Sequence, residues 1–500
     1  MKKTKNHFLL ALLALVFTFA ACNNDKSDKK ESGKITDIPV TSKSKDAIAA
    51  FQEGLAFADD NNAIKARAAF SHAIEHDSAL AIAYLFRGNL ARSNEEYMND
   101  MAKAKSHLDG ASDWEKMYYD YQNTFVTNDW NKRLEITKKI VAAYPDAARA
   151  QVDLGNTCSG NNQTADARTA YQKAIELDPK WIGGYNALWG SYVFSDPKDL
   201  KKGEENALKV VELAPKSSNA QVVLGDTYRA QNDMEKARTA YTKAIELEPD
   251  VAVGYYKRGH VNSFLGQYDE ARKDYMEGAK HDDDNIGAML NIGYTYLYAG
   301  DHETAMKTFM DNAAKLDASG ASKSKIAGQK LAYLNNCATI CLHGGDIAHL
   351  KEVVSMMQGP SDQVASDIGS PEAKLTEKAN MLEWQALIAA AEGNIDAAKA
   401  KAEEMKTTLQ PVNDPTKLWR YEMAMGYINM KEKKYADAIG HFEKADPNDI
   451  YNKYLLAMAN EGAGNKDKAN SLYKEIAAYN FNDVGNALIR NEVKKKVATP

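Results

Sequence analysis

A spacing of about 34 residues runs through the middle of this 500-residue chain and constrains its fold more than any other feature. Four prolines follow the spacing, and the last three close the similar phrases AIELDP, VVELAP and AIELEP: Pro145, Pro179, Pro215 and Pro249. Their separations are 34, 36 and 34 residues. A period of this length is typical of arrays in which each repeat packs on its neighbours, without one central core.

Within each period, the residue pattern predicts two helices. Positions 4, 7, 8 and 11 have the spacing of one helix face, and positions 20, 24 and 27 form a second face. Position 8 is small, as at Gly225, and so is position 20, as at Ala237. Small residues let two helices approach closely, while an aromatic residue at position 24, such as Tyr241, fills the volume beside them. Each repeat is therefore predicted to be a helical hairpin.

The array resembles tetratricopeptide repeats (TPRs), most clearly over residues 148–181 and 218–251. The resemblance covers residues 47–497 and implies an all-α, TPR-type α-solenoid of about eleven to twelve hairpins. Units are predicted to start near residues 47, 81, 114, 148, 182, 218, 252, 286, 331, 379, 419 and 450, and a helix over Asn482–Lys496 is predicted to cap the last repeat. Residues 47–318 form an N-terminal array and 319–497 a more degenerate one. The Ser/Gly/Pro-rich stretches 318–328 and 358–372 are predicted to bend or hinge the array.

The N-terminus indicates export. Three lysines precede a short apolar stretch, which is typical of a signal peptide over residues 1–21. Phe19-Ala20-Ala21-Cys22 resembles the lipobox of bacterial lipoproteins, which implies lipidation at Cys22 and membrane anchoring, with the outer membrane favoured. Cleavage to a soluble secreted protein is the alternative. Residues 22–46 are polar and are predicted to be a flexible tether.

Composition and motifs argue against chemistry. A net charge of -6 with no basic stripe makes nucleic acid a poor partner. The chain lacks the common nucleotide-binding, hydrolase and zinc-protease motifs, so we expect no enzyme activity, cofactor or metal site. The acidic run at 282–284 lacks the ligand pattern of an EF-hand, and His72 with His76 has no further ligand nearby. Cys158, Cys337 and Cys341 are predicted to be buried free thiols, although a 337–341 disulfide is the alternative.

The resemblance places a partner-binding groove along the first helix of each repeat, at positions 2, 5, 9, 12 and 13. Aromatic residues flanked by Arg and Asn concentrate there in neighbouring repeats, as in the hot spots of protein interfaces. The candidate partner-binding residues are Arg229, Tyr256, His260, Phe264, Leu290, Tyr294, Leu297, Tyr298 and Asn335. Alternatively, these side chains pack within the array. The carboxylate clamp and the asparagine ladder known from other TPR proteins are not matched.

These observations predict a lipid-anchored scaffold that binds protein or peptide partners in the periplasm or at the cell surface. Two alternatives stay open. One is a glycan- or nutrient-binding lipoprotein similar to the SusD class, which has the same size and helical repeats. The other is an accessory lipoprotein of outer-membrane assembly. The sequence does not identify the partner.

Overall fold

A computed structural model describes residues 38–282 and 284–498, and their regular secondary structure is entirely helical. The first twelve helices are α1 Lys45–Asp59, α2 Ala63–His76, α3 Ala81–Gly88, α4 Asn94–Ser106, α5 Asp113–Val126, α6 Trp130–Ala143, α7 Ala148–Gly160, α8 Thr164–Leu177, α9 Ile182–Phe194, α10 Leu200–Leu213, α11 Ser218–Ala230 and α12 Met234–Leu247. The remaining thirteen are α13 Ala252–Phe264, α14 Tyr268–Ala279, α15 Ile286–Ala299, α16 His302–Lys315, α17 Lys323–Gly344, α18 Ile347–Ile368, α19 Pro371–Ala391, α20 Ile395–Thr408, α21 Trp419–Lys431, α22 Tyr435–Phe442, α23 Ile450–Gly462, α24 Lys466–Ala477 and α25 Val484–Ala498.

The predicted fold class is confirmed. Helices α1 to α24 pair in order as twelve hairpins, and α25 follows the last one. Most first helices begin within two residues of the position that the repeat pattern predicts. The hairpin interiors have the expected close approach, because a Cβ atom added to Gly225 would lie 2.5 Å from the ring of Tyr241. The described part of the chain is therefore an all-α array of TPR-type hairpins.

Local sequence explains where many of the helices begin and turn. Asp233 caps α12 by accepting a hydrogen bond from the backbone N–H of Lys236 at 3.1 Å, which satisfies one of the unpaired amides at a helix start. The turn before it holds Asn232 at φ 67°, and the next hairpin has Gly266 at φ 78° in the same place. Asn and Gly suit these turns because they tolerate left-handed backbone conformations better than other residues do.

The two stretches predicted to bend the array are mostly helical. Helix α18 continues through Pro360 to Ile368, and only two residues separate it from α19. Helices α17 and α19 each begin eight residues before the predicted unit start and reach 22 and 21 residues, and α18 between them also has 22. Ser322 and Ser370 cap the added turns. Of the residues that suggested breaks, Ser322, Ser370 and Pro371 therefore lie at helix starts, and Pro360 lies within a helix.

By contacts, the chain divides at Gly254 into two compact units, whereas the sequence interpretation divided the array at residue 318. In the first unit, the tip of the first hairpin packs against later repeats. Arg149 makes a bidentate ion pair with Asp59, at 3.1 and 2.6 Å, and both side chains are buried. Beside it, Ser217 hydrogen-bonds Asp60, and the Nζ of Lys65 lies 3.3 Å from a carboxylate oxygen of Glu248. The first unit therefore curls until its first hairpin contacts its fourth and sixth.

Several N-terminal predictions lie outside the described residues: the signal peptide 1–21, lipidation at Cys22 and most of the tether. The last tether residues do make contacts. Ile38 is buried, and the backbone N–H of Ser112 donates to the hydroxyl of Thr41 at 3.1 Å. Across 38–282 and 284–498, no helix combines the length and apolar character needed to cross a membrane.

Candidate functional site

The predicted partner-binding residues all lie on first helices, but they belong to both compact units. Arg229 is on α11 in the first unit, and the other eight are on α13, α15 and α17 in the second. The buried guanidinium of Arg229 donates to Asp226 at 2.7 Å, and the hydroxyl of Tyr241 donates to the same carboxylate oxygen at 2.6 Å. Arg229 therefore takes part in a buried polar cluster of its own hairpin and is not on an open surface.

Three of the remaining residues keep part of their side chain exposed. Tyr256 donates from its hydroxyl to Asp282 at 3.3 Å. The side-chain oxygen of Asn335 accepts a hydrogen bond from the indole N–H of Trp384, on α19, at 3.2 Å. Leu290 is also half-buried. These three side chains are the part of the predicted set that a partner could reach in this structure.

The other five residues are buried: His260, Phe264, Tyr294, Leu297 and Tyr298. Packing within a hairpin accounts for some of this burial, and packing against the next hairpin for some. The ring of His260 lies 5.8 Å from that of Tyr275, and the hydroxyl of Tyr294 donates to Asn336 of the next hairpin at 3.1 Å.

Tyr298 is covered by the C-terminal end of the chain, residues 479–498, which we call the C-terminal segment. Its hydroxyl donates to the side-chain oxygen of Asn482 at 2.7 Å, across 184 residues of sequence. Its backbone carbonyl accepts from the side-chain amide of Asn491 at 2.8 Å. The side-chain amide of Asn482 donates in turn to Asn291 at 2.7 Å, so the segment bonds to two residues of α15. This burial raises the pKa of Tyr298 well above its usual range.

An arginine of the same segment covers Phe264. The guanidinium of Arg490 lies 4.8 Å from the centre of the Phe264 ring, within cation–π range. Arg490 also donates two hydrogen bonds within the segment, to the carbonyl of Tyr479 at 2.8 Å and to the side chain of Asn480 at 2.9 Å. The ring of Phe264 also packs edge-on against Tyr298 at 5.6 Å. Phe264 and Tyr298 thus form one aromatic patch beneath the segment.

The segment also contacts α17 through a histidine. The ring nitrogens of His343 lie 3.1 Å from the Tyr451 hydroxyl and 3.2 Å from a carboxylate oxygen of Glu492. Tyr454 donates to the second carboxylate oxygen of Glu492 at 2.6 Å. The start of α25 is polar too: the backbone N–H of Asn486 donates to the Asp483 carboxylate at 2.8 Å, and burial raises the pKa of Asp483 to about 7.

These contacts change the description of the candidate surface. The sequence interpretation placed the nine residues along an open groove, whereas Phe264 and Tyr298 lie beneath the C-terminal segment. The predicted capping helix is present as α25, and it packs against α15 and α17 as well as the last hairpin. Whether these residues bind a partner stays a prediction.

A separate cavity of about 610 Å³ lies between α18, α19 and α20. Its wall includes the buried carboxyl group of Glu377, which accepts a hydrogen bond from the Ser361 hydroxyl at 2.7 Å. Burial raises the pKa of Glu377 to about 7. At the rim, Lys378 and Lys401 both pair with Glu404, at 3.1 and 3.2 Å. The volume is in the range of small-ligand sites, roughly 300–1,000 Å³.

Sequence reasoning predicted the C-terminal helix but missed its contact with α15 and α17, and it also missed the cavity. The segment carries asparagines at 480, 482, 486 and 491, and this density of amide side chains was the available signal. The cavity adjoins the lengthened helices α18 and α19, where the repeat pattern fails.

Metal-binding side chains form no cluster in the described part of the chain. Across residues 38–282 and 284–498, no three His, Cys, Asp or Glu side chains are arranged to hold a metal ion. The three cysteines in these ranges are free and buried, as predicted.

Comparisons with known proteins identify the repeats. One tetratricopeptide repeat model matches residues 148–180 and 252–285, a TPR repeat model matches 225–263, and a further tetratricopeptide repeat model matches 287–311. No curated protein matches the chain. The hairpins of these segments are therefore TPRs, in agreement with their geometry.

Solved structures similar to the chain include other TPR-type proteins. The crystal structure of the APC/C hetero-tetramer Cut9–Hcn1 matches with 14% identity and a TM-score of 0.41, covering 86% of this chain and 76% of that one. MamA matches with 22% identity and a TM-score of 0.27, over 32% of this chain and 93% of its own. TTC0263, a thermophilic TPR protein of Thermus thermophilus, matches with 18% identity and a TM-score of 0.32, over 39% of this chain and all of its own.

Proposed function

We propose that this protein is a lipid-anchored scaffold that binds protein or peptide partners through the first helices of its second unit and has no catalytic activity of its own. TPR arrays serve generally as protein-interaction modules, and this is the basis of the proposal. The observation that carries it is the surface formed by Tyr256, Leu290 and Asn335. These side chains are half-buried, lie on successive first helices and combine an aromatic ring, an aliphatic group and an amide. Tyrosine is enriched among the residues that contribute most to binding at interfaces, and the two neighbouring side chains offer an apolar contact and hydrogen-bonding groups.

The partner surface can be tested in the native host. Crosslinking of the full-length protein followed by mass spectrometry identifies partners without assuming their nature. Once a partner is identified, its binding to the double variant Tyr256→Ala, Leu290→Ala should be weaker by roughly 2 kcal/mol, a loss of about thirtyfold in affinity. Tyr296→Ala is a matched control, because Tyr296 lies on α15 but stacks with Arg272, whose guanidinium is 4.8 Å from its ring. Equal weakening by both variants would contradict the proposed surface.

Replacing Tyr294 together with Tyr256 asks whether a buried tyrosine contributes as well. Tyr294→Ala removes the hydrogen bond to Asn336, so its effect on folding must be measured beside its effect on binding. If the melting temperature falls sharply while the surviving folded protein binds normally, Tyr294 is a packing residue. If binding weakens at an unchanged melting temperature, it belongs to the partner site.

Lipid anchoring rests on the sequence around Cys22, which follows a signal-like stretch and the small residues Ala20 and Ala21. Two or more acyl chains attached there would hold the protein stably on a membrane. Cys22→Ser should move the protein from the membrane fraction to the soluble fraction of the native host. Continued membrane fractionation of this variant would refute the anchor. Fractionation of inner and outer membranes would then test the outer-membrane location that we favour.

A second candidate function, glycan or small-nutrient binding, is favoured by the cavity between α18 and α20. Its lining includes Gln358, Gln385, Asp362 and Ser366, which offer both donors and acceptors to hydroxyl groups, beside the apolar side chain of Met381. Calorimetry against a glycan panel tests this candidate directly. Micromolar sugar binding that is abolished by Gln385→Ala would favour glycan binding over the scaffold proposal. Heats no larger than those of dilution would reject the glycan-binding candidate.

A further inference from the structure

We propose that the C-terminal segment is an intramolecular ligand. It covers a peptide-binding surface on α13 and α15, and the external partner of that surface is a peptide that leads into a helix and carries asparagines and an arginine at the same spacings. This inference rests on the proposed partner-binding function. It adds a second binding surface, which the C-terminal segment occupies and thereby closes to external partners.

The covered surface has the composition of an interface. It combines the aromatic rings of Phe264 and Tyr298 with the apolar side chain of Leu297, all of which are buried. Polar groups of α15 flank this patch: the side chain of Asn291 and the hydroxyl and carbonyl of Tyr298 are each bonded to the C-terminal segment. An aromatic centre with polar groups at its edge is the usual arrangement of a peptide-binding hot spot.

The contacts between the segment and α15 include three side-chain hydrogen bonds beside the apolar packing of α25. Asn482 makes two of them, with Asn291 and Tyr298, and Asn491 makes a third with the Tyr298 carbonyl. A single such bond contributes only about 1 kcal/mol net, because both partners can bond water when they separate. The hydrogen-bonded part of this contact can therefore be exchanged for bonds to water or to the amide groups of a partner.

The other side of α25 is attached to the last hairpin independently. Helix α25 packs against α23 and α24, and Lys496 pairs with Glu461 of α23 at 2.6 Å. Two polar contacts join the two sides: Glu492 binds both His343 of α17 and Tyr454 of α23. The helix can thus leave α15 while the last hairpin keeps its shape, provided that the His343 contact also opens.

The segment itself indicates the chemistry of the external partner. Asn486 and Arg490 lie one turn apart on α25, Asn491 follows Arg490, and Asn482 lies two residues before the helix begins. Arg490 supplies a cation to the Phe264 ring, while the asparagines bond to polar groups of α15. A partner with an asparagine just before a helix, and an arginine followed by an asparagine within that helix, would make the same contacts. Because the segment is tethered, its effective concentration is high, and a free partner competes only when the segment is loosened.

The test uses the full-length protein with Asn482→Ala and Asn491→Ala together, which removes three hydrogen bonds between the segment and α15. Lys496→Ala is the matched control, because it removes a contact of the same helix with α23 instead. Hydrogen exchange of residues 484–493 should become at least tenfold faster in the double variant, while α23 and α24 keep their protection. Equal acceleration of α23, α24 and α25 would overturn the proposal, because α25 would then be a fixed part of the last repeat.

The second measurement probes the uncovered surface with a fluorescein-labelled synthetic peptide of residues 479–498. By fluorescence anisotropy, this peptide should bind the double variant at least tenfold more tightly than the wild type or Lys496→Ala. The same peptide with both asparagines replaced by alanine should bind at least tenfold more weakly. If α25 opens and the labelled peptide still does not bind, the proposed surface is overturned. If the peptide binds as expected but native crosslinking finds no partner, the intramolecular surface is supported and only the proposed scaffold function fails.

Discussion

Replacing Gly293 by alanine tests the packing rule on which the whole array depends. Gly293 lies in α15 and faces Phe309 of α16, and an added Cβ atom would lie 2.1 Å from one ring carbon and 2.3 Å from the next. Real Cβ atoms do not approach other heavy atoms this closely, so the ring or the helix must move. The ring has little room, because Phe309 is fully buried and packs against Tyr294 at 5.9 Å and Tyr333 at 6.3 Å.

The expected magnitude follows from two opposing effects. Overpacking a filled interior typically costs about 1–3 kcal/mol, while replacing glycine by alanine inside a helix contributes about 1 kcal/mol of stability. Gly287→Ala on the same helix is the control, because no other side chain lies within 4 Å of its added Cβ atom. Gly293→Ala should therefore be about 2 kcal/mol less stable than Gly287→Ala.

Both variants should be compared by urea unfolding and by hydrogen exchange of α15 and α16, since repeat arrays can open locally. Combining Gly293→Ala with Phe309→Leu should remove part of the loss, because a smaller side chain leaves room for the new methyl group. Equal stability of the two glycine variants would refute the packing explanation, and so would a loss that Phe309→Leu leaves unchanged. The same test applies to Gly225 with Tyr241, where the distance is 2.5 Å.

Three further predictions follow from buried polar groups. Burial raises the pKa of Glu377 from 4.5 to about 7, so the folded state should lose about 3 kcal/mol of stability as the pH rises between these values. Glu377→Gln should abolish this loss, which is measured by comparing urea unfolding midpoints at pH 5 and pH 8. Arg149→Ala should destabilise the first unit by roughly 3–5 kcal/mol in thermal unfolding, because it strands the buried carboxylate of Asp59; an effect below 1 kcal/mol would contradict the buried ion pair. Burial raises the thiol pKa of Cys337 to about 12 and that of Cys341 to about 11. Iodoacetamide should therefore modify both cysteines slowly in the native protein and quickly in urea. Fast labelling of the native protein would show that the two thiols are accessible.

The repeats were predictable because their signals are local. A glycine at position 8 and an aromatic residue at position 24 meet within one hairpin, as Gly225 and Tyr241 do, and the chain between them is short. The turn residue Gly266 likewise identifies its hairpin without reference to the rest of the molecule. The same reasoning failed at 358–372, where Pro360 suggested a break but lies inside α18, because packing of the long helix outweighs the preference of one residue.

The candidate site was only partly predictable. Sequence position identified Tyr256, Tyr294 and Tyr298 as tyrosines that packing within one hairpin does not require. The structure gives two of them partners elsewhere in the second unit: Tyr294 bonds to Asn336 of the next hairpin, and Tyr298 bonds to Asn482. A periodic pattern contains no information on which distant segment will cover a residue.

By itself, therefore, the sequence determined the all-helical class, the order and approximate number of hairpins, and the small and aromatic residues that meet inside the regular ones. The tertiary structure decided where the units curl back on themselves, as at Arg149 with Asp59 in the first unit and at Tyr298 with the C-terminal segment in the second. The physical reason is the distance along the chain over which each kind of interaction acts. Helix periodicity and turn chemistry act over a few residues, whereas the curvature of a repeat array accumulates from small rotations at every interface and brings together residues 90 or 184 positions apart.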